Sequence, residues 1–307
     1  MMGAQCYGER EGNVSFLLTD SRSLCFPEET LFFALRSARN DGQHYIAELY
    51  QRGVRRFVVA EVPDRWQANY ADATFLVVGD TLAALQQLAA RHRQRFTIPV
   101  VGITGSNGKT MVKEWLYQTL SKDHVVTRSP RSYNSQVGVP LSLWLLDAQT
   151  QVAVFEAGIS QPGEMQVLHD IIRPTLGVLT MIGEAHQENF PSIEAKCQEK
   201  LRLFEGTEAL VYPQDDPLVA RCVAESGYQG QHLGWSRQDV AAAFYVLQEE
   251  KLPTHTTVRY RWQGDVEGSY TLPFIDEASL ENSFSVAIAS LRLGLTPQQL
   301  ADRMAYL

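Results

Sequence analysis

Apolar and polar positions follow two different schedules along this chain, and the schedule changes near residue 96. Before that point short apolar runs predict strands over 14–19, 30–35, 56–60 and 74–78, while 3.6-residue periodicity predicts helices over 43–52 and 81–95. The polar stretch Arg91-His92-Arg93-Gln94-Arg95 then leads to Pro99, where a new strand begins. This predicts two domains, 1–96 and 97–307. In the second, near-continuous apolar runs predict strands over 100–103, 152–155, 176–181 and 209–212, separated by helical stretches that include 192–204. Uninterrupted apolar strands alternating with helices imply a parallel sheet covered on both faces. Between 241 and 274 the pattern turns to short β-type runs such as 256–262, and helices return over 280–293 and 297–306. The predicted fold class is α/β: a small N-terminal α/β domain followed by a mostly parallel-sheet domain with a phosphate-binding loop.

That loop is the most informative segment. Val100-Val101-Gly102-Ile103 reads as a buried strand, Thr104-Gly105-Ser106-Asn107-Gly108 as a tight turn, and Lys109-Thr110 as the first turn of a helix. Glycines let several backbone N–H groups point inward, the helix N-terminus adds partial positive charge, and Lys109 supplies a full one. Thr110 is placed to offer its hydroxyl to the Mg²⁺ of a nucleoside triphosphate. The spacing is the short G-x-x-G-K-T form, with Ile103 where the longer pattern has glycine.

Composition bounds the partners. The 307 residues carry a formal net charge of -8, so the summed field opposes nucleic acid and anionic membrane surfaces. No apolar run approaches the ~18 residues of a spanning helix, and no signal peptide opens the chain. Cys6, Cys25, Cys197 and Cys222 show no metal-site or disulfide spacing.

In parallel sheets ligands sit at the carboxyl ends of strands, so residues there are candidates. Glu156 follows the run 152–155 and is placed as a Mg²⁺ ligand or a solvated loop carboxylate. His186 lies in the loop after the next strand, as ligand, general base or surface histidine. Lys200, on the helix over 192–204, reads by charge pattern alone as a solvated lysine.

Taken in order, these segments resemble the Mur ligase family of peptidoglycan-precursor enzymes. Thr104 to Thr110 followed by Val112-Lys113-Glu114 is similar to its ATP loop, and Tyr133-Asn134-Ser135-Gln136-Val137-Gly138-Val139-Pro140 to its Asn-rich segment. Glu156-Ala157-Gly158, Ala185-His186-Gln187-Glu188-Asn189-Phe190 and Glu199-Lys200-Leu201-Arg202 match three further family motifs in sequence. Thr19-Asp20-Ser21-Arg22 and Leu31-Phe32-Phe33-Ala34-Leu35 look like its UDP-binding domain. Glu281-Asn282-Ser283-Phe284-Ser285 corresponds to an adenine-side segment His-Asn-x-x-Asn, departing from it at Glu281 and Ser285.

The resemblance is closest to the member that joins D-alanyl-D-alanine to UDP-N-acetylmuramoyl-tripeptide through an acyl phosphate in the cytoplasm. It implies ATP at Thr104 to Thr110 and Asn282, one Mg²⁺ on Thr110 and Glu156, and a second on His186 and a carbamylated Lys200. It further implies catalytic roles for Lys109, His186 and Lys200, and substrate contacts from Ser21, Arg22, Asn134 and Ser135. The wording is similar to that of ligases fused to an alanine racemase, and the family's closing C-terminal domain is expected beyond these residues, so that this stretch binds its ligands without turnover. The alternatives are another Mur ligase, folylpolyglutamate synthase, or a P-loop switch protein that binds nucleotide without ligation. Binding of a UDP-linked ligand discriminates between ligase and switch.

Overall fold

The computed structural model describes residues 3–9, 12–37, 40–185 and 187–307. The chain divides into two compact units, Met1–Arg95 and Phe96–Leu307.

The first unit is built on strands β1 (Gln5–Tyr7), β2 (Phe16–Leu18), β3 (Thr30–Phe33), β4 (Arg56–Val59) and β5 (Thr74–Val77), in the order β1-β5-β4-β3-β2. All pairs are parallel except the one made by β1. Phe32, Phe57 and Phe75 on these strands pack against Ile46 and Leu49 of helix α1 (Ile46–Gln51). The helix expected over 43–52 starts later because Gly42–Tyr45 forms a 3₁₀ turn, capped by the Asp41 side chain. Helix α2 (Thr81–Arg93) starts where Asp80 accepts from the N–H groups of Leu82 and Ala83, satisfying two otherwise orphaned donors.

The second unit follows a βα rhythm. Its elements in order are β6 (Val100–Thr104), α3 (Lys109–Leu120), β7 (Val126–Arg128), α4 (Gly138–Leu143), β8 (Val152–Glu156) and α5 (Glu164–Ile172). Then come β9 (Leu176–Leu179), α6 (Ile193–Leu201), β10 (Ala209–Pro213), α7 (Pro217–Glu225) and β11 (Gln231–Ser236). Strands β12 (Phe244–Lys251), β13 (Thr256–Trp262) and β14 (Val266–Leu272) precede helices α8 (Glu277–Arg292) and α9 (Pro297–Met304). One nine-stranded sheet results, in the order β14-β13-β12-β11-β10-β9-β6-β8-β7. It is parallel from β7 to β12 and antiparallel across β12, β13 and β14. The residues of β6, β8, β9 and β10 are all buried, as strands covered on both faces require.

Strand β6 lies between β8 and β9, so the connection after β8 crosses over it and the chain winds outward in both directions. That makes its carboxyl end the switch point of the sheet, where open α/β sheets leave a crevice. One close approach positions α6, which carries Lys200 to that crevice. Gly177 of β9 faces the Phe204 ring, and a Cβ on it would come within 2.4 Å of a ring carbon. The missing side chain lets the Arg202–Phe204 turn lie on the sheet, which anchors the end of α6.

Candidate active site

The loop between β6 and α3 is shaped from below by the tip of β9. The Thr180 hydroxyl donates to the carbonyls of Thr104 and Asn107 at 3.2 and 2.5 Å, and the Ser106 N–H donates to Met181 at 2.8 Å. Gly105 has φ +151°, and a Cβ there would lie 1.9 Å from the Thr180 hydroxyl oxygen. So curled, the loop leaves the N–H groups of Asn107, Gly108, Lys109 and Thr110 without an acceptor among the described residues. Four orphaned donors at the start of a twelve-residue helix are a cradle for anionic oxygens. Lys109 turns its amine back onto the carbonyls of Gly105 and Ser106, at 2.9 and 3.0 Å. Burial lowers its affinity for the proton, and the charge of Glu156 opposes that loss.

Beside the cradle is a cluster of hard oxygens. Glu156 ends β8 with its side chain fully buried. One carboxylate oxygen accepts from the Thr110 hydroxyl at 2.9 Å, the other from the Asn134 amide at 3.0 Å, and the Ser132 hydroxyl lies 3.5 Å from that of Thr110. Carboxylate and hydroxyl oxygens in this arrangement fit a hard cation such as Mg²⁺. Behind them Lys113 is also fully buried, with its amine 4.0 Å from Glu156, 3.1 Å from Glu114 and hydrogen-bonded to the carbonyl of Arg131. Glu114 is pulled up by burial, but hydrogen bonds from Lys113 and Arg128 outweigh this and hold it below the usual carboxylate range.

On the other side, α6 carries two buried lysines, one of which is directed at the loop. Lys200 is 4% exposed and donates to the carbonyl of Gly105 at 3.1 Å. Burial, reinforced by the charges of Lys109 and Lys196, pushes its pKa down to about 7. Sequence pattern had made Lys200 a solvated lysine; the glycine-enabled seating of α6 buries it instead. Lys196, one turn earlier, donates to the carbonyls of Gly183 and Ala185. Glu199 accepts from the N–H groups of Gly163 and Met165, which holds the start of α5. His186 lies outside the described residues. As an amine Lys200 is no ligand for a hard cation, so a second metal fits these residues only once Lys200 carries a carboxylate. A cavity of about 350 Å³ opens here, lined by Gly105, Lys109, Asn134, Ser135 and Lys200 among others.

A second cavity, of about 310 Å³, opens beyond Gly108 and Asn107. Asn282 of α8 reaches it next to Gly108, where an added Cβ would meet the Asn282 side-chain Oδ1 at 2.3 Å. Glu281 and Ser285 line the same cavity. So do four residues that sequence reading passed over: Asp215 and Asp216 at the end of β10, and Trp235 and Arg237 at the end of β11. The strand-end rule that singled out Glu156 reaches the two aspartates after β10, whereas β11 carries no clean strand pattern and hides Trp235 and Arg237. Arg237 is fixed by Glu249 at 2.6 Å, Glu281 at 3.2 Å and Glu277. In the first unit Asp20 caps the 3₁₀ turn Ser21–Ser23 and pairs with Arg22, whose side chain is 87% exposed, while Ser21 is buried.

The sequence model of the Mur ligase middle domain matches residues 103–290. The chain belongs to the Mur ligase family. Among curated relatives of this Mur ligase, the UDP-N-acetylmuramoyl-tripeptide–D-alanyl-D-alanine ligase of Bacillus subtilis is 29% identical over 94% of the chain and 60% of its own length. That of Synechocystis is 38% identical over 72% of the chain and 48% of its own length. The chain thus spans about three fifths, or less, of the curated relatives it matches. The MurF structure from Acinetobacter baumannii superposes with a TM-score of 0.84 at 26% identity, over 94% of this chain and 62% of that one. The MurF structure from Thermotoga maritima in complex with ADP shares the fold, with a TM-score of 0.81 at 23% identity over 95% of this chain and 66% of that one.

Proposed function

We propose that this chain carries the nucleotide- and UDP-substrate-binding part of a cytoplasmic, ATP-dependent ligase of cell-wall precursor synthesis. The reaction joins UDP-N-acetylmuramoyl-tripeptide to D-alanyl-D-alanine. One observation carries the reading: an inward-facing N–H cradle beside a buried Thr110–Glu156–Asn134 oxygen cluster at the switch point of the sheet. The relatives named for this activity align over that region.

The chemistry must bring two anions together, the tripeptide carboxylate and the γ-phosphate, so that an acyl phosphate forms and the dipeptide amine displaces phosphate from it. Mg²⁺, when bound, neutralises oxygens of the phosphoryl group in transfer. Thr110 and Glu156 would hold it. The N–H groups of 107–110 would hold the phosphate chain, and Lys109 would leave the carbonyls of Gly105 and Ser106 to meet the transferring group. Asn282 would contribute on the adenine side, and Asn134 and Ser135 would face the acyl donor.

A second Mg²⁺ would lie on His186 and a carbamylated Lys200. The lowered proton affinity of Lys200 supports this, because only a neutral amine can form the N–C bond to CO₂, releasing a proton as the carbamate forms. Ser21 and Arg22 would hold the UDP end of the substrate, and D-alanyl-D-alanine is the second substrate.

Calorimetry on the 307-residue chain tests the proposal. ADP with Mg²⁺ and UDP-N-acetylmuramoyl-tripeptide should each bind, and Lys109→Ala should weaken ADP at least tenfold, because it removes the full positive charge beside the cradle. Absence of UDP-substrate binding with ADP binding intact would leave a nucleotide-binding protein of another kind. Unchanged ADP affinity in Lys109→Ala would place the nucleotide elsewhere.

A further inference from the structure

The position of Lys113 is not accounted for by any of these roles. It sits behind the oxygen cluster, with its side chain fully buried and its amine tied to Glu114 and to the Arg131 carbonyl. It makes no hydrogen bond to Glu156 but lies 4.0 Å away, and both Glu156 oxygens are already engaged by Thr110 and Asn134. Lys113 therefore acts on the cluster through its field alone. Both side chains are fully buried, so salt screens the interaction little.

The charges around the cluster can be enumerated. Glu156 contributes one negative charge. Lys113 opposes it from behind, and Lys109, which also feels the Glu156 charge, opposes it from the loop. Glu114 is divided between Lys113 and Arg128. One carboxylate facing two ammonium groups, with a hydroxyl and an amide as its other neighbours, attracts a divalent cation poorly. Phosphate oxygens in the adjacent cradle reverse that balance.

We propose that Lys113 is a resident counter-cation that makes the metal site conditional, so that a divalent ion is held there only as its nucleotide complex. This rests on the nucleotide reading of the loop. Lys113 thus acts as a positioning and tuning residue, since it touches neither nucleotide nor metal. Its tie to Arg131 serves the same end. Arg131 has φ +48°, in the left-handed region, and the Lys113 hydrogen bond holds it there. That keeps the amine from swinging forward to pair directly with Glu156, and keeps Ser132 and Asn134 facing the cluster.

The test is Mn²⁺ binding followed by electron paramagnetic resonance on the whole chain, with and without saturating ADP. Wild type should hold no Mn²⁺ alone at concentrations that saturate its ADP complex. Lys113→Met should tighten Mn²⁺ in the ADP complex at least tenfold, whereas Lys113→Arg should keep the wild-type pattern. Wild type binding Mn²⁺ equally well with and without ADP overturns the proposal and needs no variant. Unchanged or weakened Mn²⁺ in Lys113→Met overturns it too. Failure of wild type to bind ADP at all sinks the nucleotide reading instead. The metal-alone arm still decides in that case, because Lys113→Met must then bind Mn²⁺ more tightly than wild type.

Discussion

Lys200 carries the sharpest expectation for a single residue. An unfolded chain would give its amine an ordinary lysine pKa, while the folded environment pushes it down to about 7. Below pH 7 both states hold the proton, and the folded state bears the whole cost of a buried cation. As pH rises from about 7 toward the ordinary lysine value the unfolded state binds more protons, so this cost disappears and stability rises. Lys200→Met should therefore melt higher than wild type at pH 6, with the gap closing toward pH 10. Parallel melting curves across that range would show that the amine is solvated. In sequence, Lys200 was legible only through resemblance, because its burial depends on where α6 is seated rather than on its neighbours in the chain. Glu156 was different: an acidic residue directly after four apolar ones can hardly lie anywhere but at a strand tip. Lys113 enters the sequence reading only as part of the family motif, since nothing local shows that a helix lysine points inward.

The central elements were legible because both faces of a parallel sheet are covered, and the apolar runs of β6, β8, β9 and β10 announce themselves. In the same sheet, short or half-exposed strands did not. β7 has three residues, all partly exposed, and β11 opens with two exposed polar positions, so neither carries a clean period. Helix ends were missed by a few residues where 3₁₀ turns took over, at Gly42–Tyr45 and at Arg202–Phe204. The second of these matters most. Gly177→Ala would push a methyl group into the Phe204 ring, which cannot retreat without lifting the turn and α6. Overpacking of this kind costs about 1–3 kcal/mol. A fall of several degrees in melting temperature is expected, reversed in good part by adding Phe204→Leu. Wild-type melting of Gly177→Ala would show that the turn does not rest on the strand.

At the scale of the whole molecule, the α/β class and the parallel character of the large sheet could be read from the chain, whereas its nine-stranded order could not. Order depends on which helix crosses which strand, and apolar periodicity is silent on that. The antiparallel ending of the sheet was visible only as a change of rhythm after residue 241. The order nevertheless has a consequence for how changes combine. Because β6 sits between β8 and β9, the residues that face a cation come from the tip of β8, the first turn of α3 and the segment between β7 and α4. Those lining the other cavity come from β9, β10, β11 and α8. The two sets share only the loop itself, whose shape is fixed by Thr180. Substitutions in sets without common partners add to within about 0.3–0.5 kcal/mol. Asn134→Ala and Glu281→Gln, measured singly and together for ADP·Mg²⁺ affinity, should therefore show no coupling beyond that margin. A larger coupling would mean that the loop yields and passes strain from one flank to the other. If the margin holds, what each flank of the loop adds to the affinity for the metal–nucleotide complex is an independent trait, free to drift or to be engineered without disturbing the other.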